Sequence, residues 1–181
     1  LDLDDYTPGS ETRIGVARLQ FRHRPDEDTP LKNGNGGERI VNLKPQFASL
    51  IEDYVSHHRQ EVTDDYGRDP LVTTKYGRPA RSTLQGQVYS ITRPCVYAGS
   101  CPHGYTESEC DATDYDQAPK CPSSVSPHPL RRGSITHHLK NGGWTYEECS
   151  LRFNVGVDVL KDHYDETTQT DVADVLAERH F

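Results

Sequence analysis

Residues 93–127 are rich in Cys, Pro, Gly, Ser and Asp, and no helix or strand period can be drawn through them. A connection of that length without structure of its own is uncommon inside a compact domain. The chain must therefore fold from the segments on either side, and something must brace the stretch between them. Four of the chain's five cysteines, Cys95, Cys101, Cys110 and Cys121, fall in it, while Cys149 stands apart. Their C-x5-C-x8-C-x10-C spacing departs from the short pairs of common zinc fingers. Even so, four soft ligands with His103 beside them, in a segment unable to pack, suit a tetrahedral zinc that closes the loop. Such a zinc is expected to be structural, because catalytic sites favour His and carboxylate ligands around an open position. Two disulfides or four reduced thiols are the other outcomes the spacing allows, and the disulfides call for a secretory route.

The flanks are readable. Ala17, Leu19 and Phe21 alternate with Arg18, Gln20 and Arg22, so residues 16–23 are expected as a half-buried strand. Residues 38–43 form a second strand, and residues 29–32 a third that enters the turn at Asn33-Gly34-Asn35-Gly36-Gly37. Pro45 opens a helix in which Phe47, Leu50, Ile51, Tyr54 and Val55 share one face, expected to be core. Residues 71–74 read as a short strand or extended piece, and residues 82–92 as a helix. Beyond Pro127 the helical pattern resumes, with Ile135 and Leu139 on one face and Asn141-Gly142-Gly143 as its stop. Shorter helices are expected over 145–151, 157–163 and 171–179. The sum is one α+β domain over 1–181, mostly helical, with a small antiparallel three-stranded sheet near its start and a Cys-rich insertion at 93–127.

No apolar run reaches the length of a membrane span, and Leu1-Asp2-Leu3-Asp4-Asp5 lacks the basic and apolar regions of a signal peptide. The expected location is the cytoplasm, and a chain with no Met is expected to be cut from something longer. Lys and Arg number 20 against 28 Asp and Glu, a net charge of −8 that on average disfavours a nucleic-acid partner. The average hides its distribution. Fourteen of the 20 basic residues are Arg, which suits bidentate phosphate contacts, and acid patches such as Asp26-Glu27-Asp28 and Asp64-Asp65 suit a solvated, salt-adapted exterior.

Two short segments carry chemistry. In Ser126-Pro127-His128-Pro129-Leu130-Arg131-Arg132 a histidine and an arginine stand three apart at a helix start, so both face one side. In Leu160-Lys161-Asp162-His163-Tyr164-Asp165 a tyrosine ends a short helix. Each alone reads equally as a helix cap, a surface ion pair or a packing residue. In this order, with a basic hairpin upstream, the chain resembles the catalytic domain of the tyrosine recombinase (phage integrase) family, and most closely the integrase-like proteins of halophilic archaea. The family's H-x-L-R box matches His128-Pro129-Leu130-Arg131, its nucleophile Tyr164, and its hairpin lysine Lys32 ahead of Glu38-Arg39-Ile40-Val41. Thr74-Lys75-Tyr76-Gly77-Arg78 and Lys120-Cys121-Pro122-Ser123-Ser124 also look like that branch.

The resemblance implies a site-specific recombinase that cuts and rejoins double-stranded DNA through a 3′-phosphotyrosine, working as a DNA-bound tetramer and needing no cofactor for catalysis. It implies Tyr164 as nucleophile, His128 as base or proton relay, Arg131 on the non-bridging oxygens, and Lys32 as acid for the leaving 5′-oxygen. Asn154 is the nearest polar residue to the family's His or Trp before the nucleophile, one residue out of register. Arg132, Lys75, Arg78 and Arg81 are candidate DNA phosphate contacts, each equally readable as a solvated charge. The family's first catalytic arginine would lie just upstream of Leu1, and its N-terminal DNA-clamping domain further upstream. The competing expectations are an impaired remnant acting as a zinc-braced DNA-binding module and a type IB topoisomerase-like relaxing activity.

Overall fold

The computed structural model describes residues 1–164 and Ala177, and divides the chain into two compact units, Leu1–Arg81 and Ser82–Phe181. The helix expected over 171–179 lies, Ala177 apart, outside the described residues. The protein is α+β, with a small antiparallel sheet confined to the first unit. Among the described residues no helix is long and apolar enough to cross a membrane.

The sheet has three strands in the order β1 (Tyr6–Thr7), β2 (Arg18–Phe21) and β3 (Arg39–Asn42). Both pairings are antiparallel, with Tyr6 opposite Leu19, and Leu19 opposite Val41. The third strand is therefore Tyr6–Thr7 and not residues 29–32. Arg24 and Thr29 bridge to each other instead, turning the chain away from the sheet, and residues 34–37 wind into a 3-10 turn rather than a two-residue hairpin. With three glycines among residues 34–37 and few side chains to pair across a ladder, that segment has no reason to extend. Residues 71–74 are likewise not a strand; Pro70 bridges to Asp2, and Thr74 to Gly77.

Helix α1 (Pro45–His57) begins at the proline whose fixed φ suits a first turn. Its expected core face is only partly covered: Ile51, Tyr54 and Val55 are half-buried, whereas Phe47 and Leu50 are 51% and 63% exposed. Strands of two and four residues are too short to cover a stripe that spans three turns. The covered end is held by Tyr54, whose hydroxyl accepts the Thr73 N–H at 2.9 Å.

The first unit is organised by charge. Asp5, 1% exposed, receives Arg22 Nη1 at 2.9 Å and Arg24 Nη2 at 2.8 Å. Asp2, equally removed from water, pairs with Arg78 and lies 3.1 Å from Arg24 Nη1. Asp64 receives Arg68 Nη2 at 2.8 Å and Arg78 Nη2 at 2.7 Å. The N-terminal turn, the exit of β2 and the loop after α1 are thus joined through one alternating chain of carboxylates and guanidiniums. Asp64 had the look of a solvated surface acid; its burial in this network overturns that reading. Backbone bonds follow the same path, Leu3 N–H to Asp69 C=O at 2.8 Å and Leu71 N–H to Leu1 C=O at 3.1 Å.

In the second unit, α2 (Arg81–Ile91) leads into a four-residue turn of helix, α3 (Pro94–Tyr97). Three 3-10 turns at Glu107–Glu109, Asp111–Thr113 and Ala118–Lys120 follow, so the segment expected to lack periodicity is a string of single turns. Helices α4 (Pro127–Lys140), α5 (Tyr146–Phe153) and α6 (Val157–His163) then pack around Ile135, Cys149 and Leu160, all fully buried. Gly143 at φ +65° ends α4, and a side chain at Gly142 would meet the His138 carbonyl at 2.9 Å. Thr145 caps α5 by accepting the Glu148 N–H while Glu148 accepts the Thr145 N–H, at 3.1 and 2.8 Å.

Burial raises the affinity of Asp5 for a proton, but the hydrogen bonds from Arg24 and from the Asp2 N–H, with the charges of Arg24 and Arg22, hold its carboxyl below the usual range. Asp64 is held lower still, its desolvation outweighed by bonds from Arg78 and Arg68. Carboxyls with depressed folded-state pKa values stabilise the fold above their unfolded values near 4 and lose that contribution as pH falls through the folded values. Chemical denaturation should therefore give stability that is level around neutrality and declines below about pH 4. Asp5→Asn should cost about 3 kcal/mol by leaving two guanidiniums short of a charge, while the exposed Asp4→Asn should stay within about 0.5 kcal/mol.

Candidate functional site

Helix α4 carries His128, Arg131 and Ile135 at i, i+3 and i+7, one stripe along its surface. The stripe runs from an exposed first turn at His128, through half-buried Arg131, to the fully buried Ile135. Ile135 fixes which way the stripe faces, because its side chain belongs to the core that α5 and α6 share. Arg131 Nη2 donates to the main-chain carbonyl of Phe153 at the end of α5. That bond brings the guanidinium beside the residue preceding Asn154. One of its five N–H donors is thereby engaged, and the plane of the guanidinium is oriented.

Asn154 caps α5 in the left-handed region, at φ 50° and ψ 60°. Asn tolerates this conformation better than most residues, and reversing the chain there sends Val155 back onto the core. Tyr164 follows the last turn of α6, its N–H bonded to the Leu160 carbonyl at 3.0 Å, and its half-buried ring packs on the Ile135, Cys149 and Leu160 cluster. Three segments distant in sequence thus meet on one core: the His128 to Ile135 stripe, the Phe153 to Val155 reversal and the Leu160 to Tyr164 turn.

Sequence reasoning did not single out His138, on the same stripe as Arg131 and Ile135. Its ring stands edge-on to Trp144 and Phe153, with centroids 4.7 and 5.2 Å away. Its Nδ1 lies 2.7 Å from the Ser134 carbonyl, which can only accept, so Nδ1 carries the proton. The seven-residue spacing from Arg131 was the available signal. The Phe153 carbonyl has no signal in a sequence, since any residue supplies one.

In the first unit Lys32 is exposed at a turn closed by the Gly34 N–H on the Leu31 carbonyl at 3.0 Å, and the Leu31 N–H is held by His23 Nδ1 at 2.9 Å. Lys75 is exposed, its Nζ 4.8 Å from the Tyr76 ring centroid, and Arg81 is exposed at the start of α2. Arg78 is a fold residue: its guanidinium is engaged by Asp2, Asp64 and the Leu1 carbonyl. Its Nε, Nη1 and Nη2 thus all have partners within the fold. Arg132 is exposed on α4.

Cys95, Cys101, Cys110 and Cys121 are all free thiols and line one cavity of about 390 Å³ together with His103. Cys149 is not among them; it sits in the helical core, where burial pushes its thiol pKa up. Among the described residues no three His, Cys, Asp or Glu side chains yet converge closely enough to hold a metal ion. The donor set nonetheless fits zinc in kind, and His103 Nε2 is buried with no hydrogen-bond partner.

Ile135→Ala should cost about 2–5 kcal/mol in denaturant unfolding, because the void opens where three helices meet. Asn154→Gly should leave stability within about 0.5 kcal/mol and Asn154→Val should lower it by about 1–2 kcal/mol, since only the latter strains a left-handed residue. No family model, curated protein or solved structure matches this chain.

Proposed function

We propose that the chain is the catalytic domain of a site-specific tyrosine recombinase, cutting and rejoining duplex DNA through Tyr164. The observation that carries this reading is that Arg131 bonds the Phe153 carbonyl beside Asn154, while α4, the helix that bears His128 and Arg131, shares the Ile135, Cys149 and Leu160 core with Tyr164. A nucleophile, a base and a phosphate clamp have to be brought together for this reaction, and these elements carry one candidate for each.

In this reading the Tyr164 phenol oxygen attacks a phosphodiester phosphorus, the bond to the 5′-oxygen breaks, and a 3′-phosphotyrosine forms. The freed 5′-hydroxyl of a partner strand then attacks the same phosphorus and displaces the tyrosine. One phosphate ester is exchanged for another in each step, so no nucleotide hydrolysis is required. A phenol with an ordinary pKa near 10 needs help to ionise. His128, exposed at the head of α4, is the proposed base, its imidazole taking up the phenol proton. Arg131, oriented by the Phe153 carbonyl, donates to the non-bridging oxygens where charge develops. Asn154 adds a hydrogen bond to the phosphate without titrating. Lys32, in the first unit, keeps the role of protonating the 5′-oxygen. Lys75, Arg81 and Arg132 are the proposed phosphate contacts, and a DNA-bound tetramer the proposed assembly.

The test is covalent capture on a nicked duplex, resolved on denaturing gels beside a duplex-binding assay. The native chain should form an adduct, Tyr164→Phe none with binding retained, and Arg131→Ala should slow formation by about 10²–10³. An adduct that survives in Tyr164→Phe would remove the nucleophile assignment. Because the resemblance puts a first catalytic arginine upstream of Leu1, a chain extended to include it is tested in parallel, and duplex binding with no adduct from either would leave a DNA-binding module in place of the enzyme.

A further inference from the structure

We propose that the 93–127 segment binds one Zn²⁺ through the thiolates of Cys95, Cys101, Cys110 and Cys121, with His103 as a hydrogen-bond donor to one of the sulfurs. The inference is independent of the recombinase reading and stands on the segment's own construction. Each cysteine belongs to a different local turn. Cys95 lies in α3, and Cys101 opens a turn in which Gly104, at φ +75°, bonds its N–H to the Cys101 carbonyl at 3.3 Å. Cys110 joins two 3-10 turns, and Cys121 ends a third. One ion held by all four would add to the polar contacts that now join these turns, such as Arg93 Nη1 to the Ala112 carbonyl at 2.6 Å and Thr113 Oγ1 to the Glu107 carbonyl at 2.9 Å.

The segment has almost no core with which to do this by packing. Between residues 93 and 127 the buried residues are Pro94, Ala112, Ala118 and Cys121, none of which removes much apolar surface from water. A cavity remains where a core would be, and its wall carries the four thiols. His103 lines the same cavity, and its Nε2 is buried without a partner, in a protein interior where such nitrogens are nearly always bonded. A protonated Nε2 donating to a metal-bound sulfur would satisfy it, and outer partners of this kind tune metal sites.

Binding exchanges four S–H protons, released to solvent, for four Zn–S bonds, leaving a centre of charge −2. On the cavity wall Arg93 and Lys120 are matched by Glu109 and Asp111, with Lys120 Nζ 3.7 Å from Asp111. The thiols line the cavity without converging, so binding must draw the turns inward. Metal affinity and ordering of the segment are then the same equilibrium.

Elemental analysis and native mass spectrometry of the full chain, purified under reducing conditions and offered equimolar zinc, should give one zinc per chain. Each of Cys95→Ser, Cys101→Ser, Cys110→Ser and Cys121→Ser should abolish retention, and Cys149→Ala should keep it. Because the metal-losing variants could unfold, the native chain is also loaded with Co²⁺, whose tetrahedral d–d and sulfur charge-transfer bands report the ligands. A four-sulfur spectrum is expected. His103→Gln should retain the stoichiometry with affinity lowered about 10–100-fold. Failure to take up zinc with all four thiols open to alkylation would overturn the site, as would four cysteines found in disulfides. A cobalt spectrum with fewer than four sulfurs would overturn the ligand set, and unchanged affinity in His103→Gln the part given to the histidine.

Discussion

A carboxylate withdrawn from water must find cations, and in the first unit Asp5 finds two, Arg22 and Arg24, both on the stretch that leaves β2. Asp2, three residues earlier, extends the chain of charges to Arg68 and Arg78, and Asp64 closes it from the loop after α1. Ala17 and Leu71 are the unit's buried apolar side chains beyond Pro70, so hydrophobic burial leaves the relation between these segments undetermined. The ion network determines it. Each member is held by more than one partner, which makes the arrangement specific: moving any of the three segments strands a charge in a place that water does not reach.

The second unit is held by the opposite chemistry. Ile135, Cys149 and Leu160 exclude water from the point where α4, α5 and α6 meet, and the rings of Trp144, Phe153 and Tyr164 close over it. What charge there is lies at the margin: Arg131 reaches a carbonyl at the end of α5 from one turn outside the buried layer. Tyr164 is placed by packing on this apolar floor, and Arg131 by its bond to the Phe153 carbonyl at the floor's edge.

Periodicity made the helices legible. The proline starts of α1 and α4, the face shared by Ile135 and Leu139, and the span of α6 all follow from residue type and spacing, and the structure bears them out. The sheet was legible at β2, where apolar residues alternate, and at β3, with its β-branched Ile40-Val41 pair, and illegible at β1, where two residues carry no period at all. The stripe on α1 announces an apolar face correctly but says nothing of what covers it, hence the exposure of Phe47 and Leu50. Arg78 and Asp64 show the limit for charged residues: a solvated charge and a buried pair look alike in a sequence, and only long-range contact separates them. For the site the grouping of His128 and Arg131 was legible from an i, i+3 spacing; the contribution of Phe153 was not, because a backbone carbonyl is invisible in a sequence.

The hydroxyl of Thr92 donates to the Val88 carbonyl at 2.8 Å and accepts the Val125 N–H at 3.1 Å. The chain therefore leaves α2 and returns to begin α4 at nearly the same point, with more than thirty residues looped out between. A segment entered and left through one doorway can change length without turning either helix, and doubling such a loop costs only about 0.6 kcal/mol in closure entropy. The cysteine-bearing stretch is in this sense a replaceable part. Its two ends meet at a gate of one threonine side chain and one amide, and the Ile135, Cys149 and Leu160 core draws no buried side chain from it.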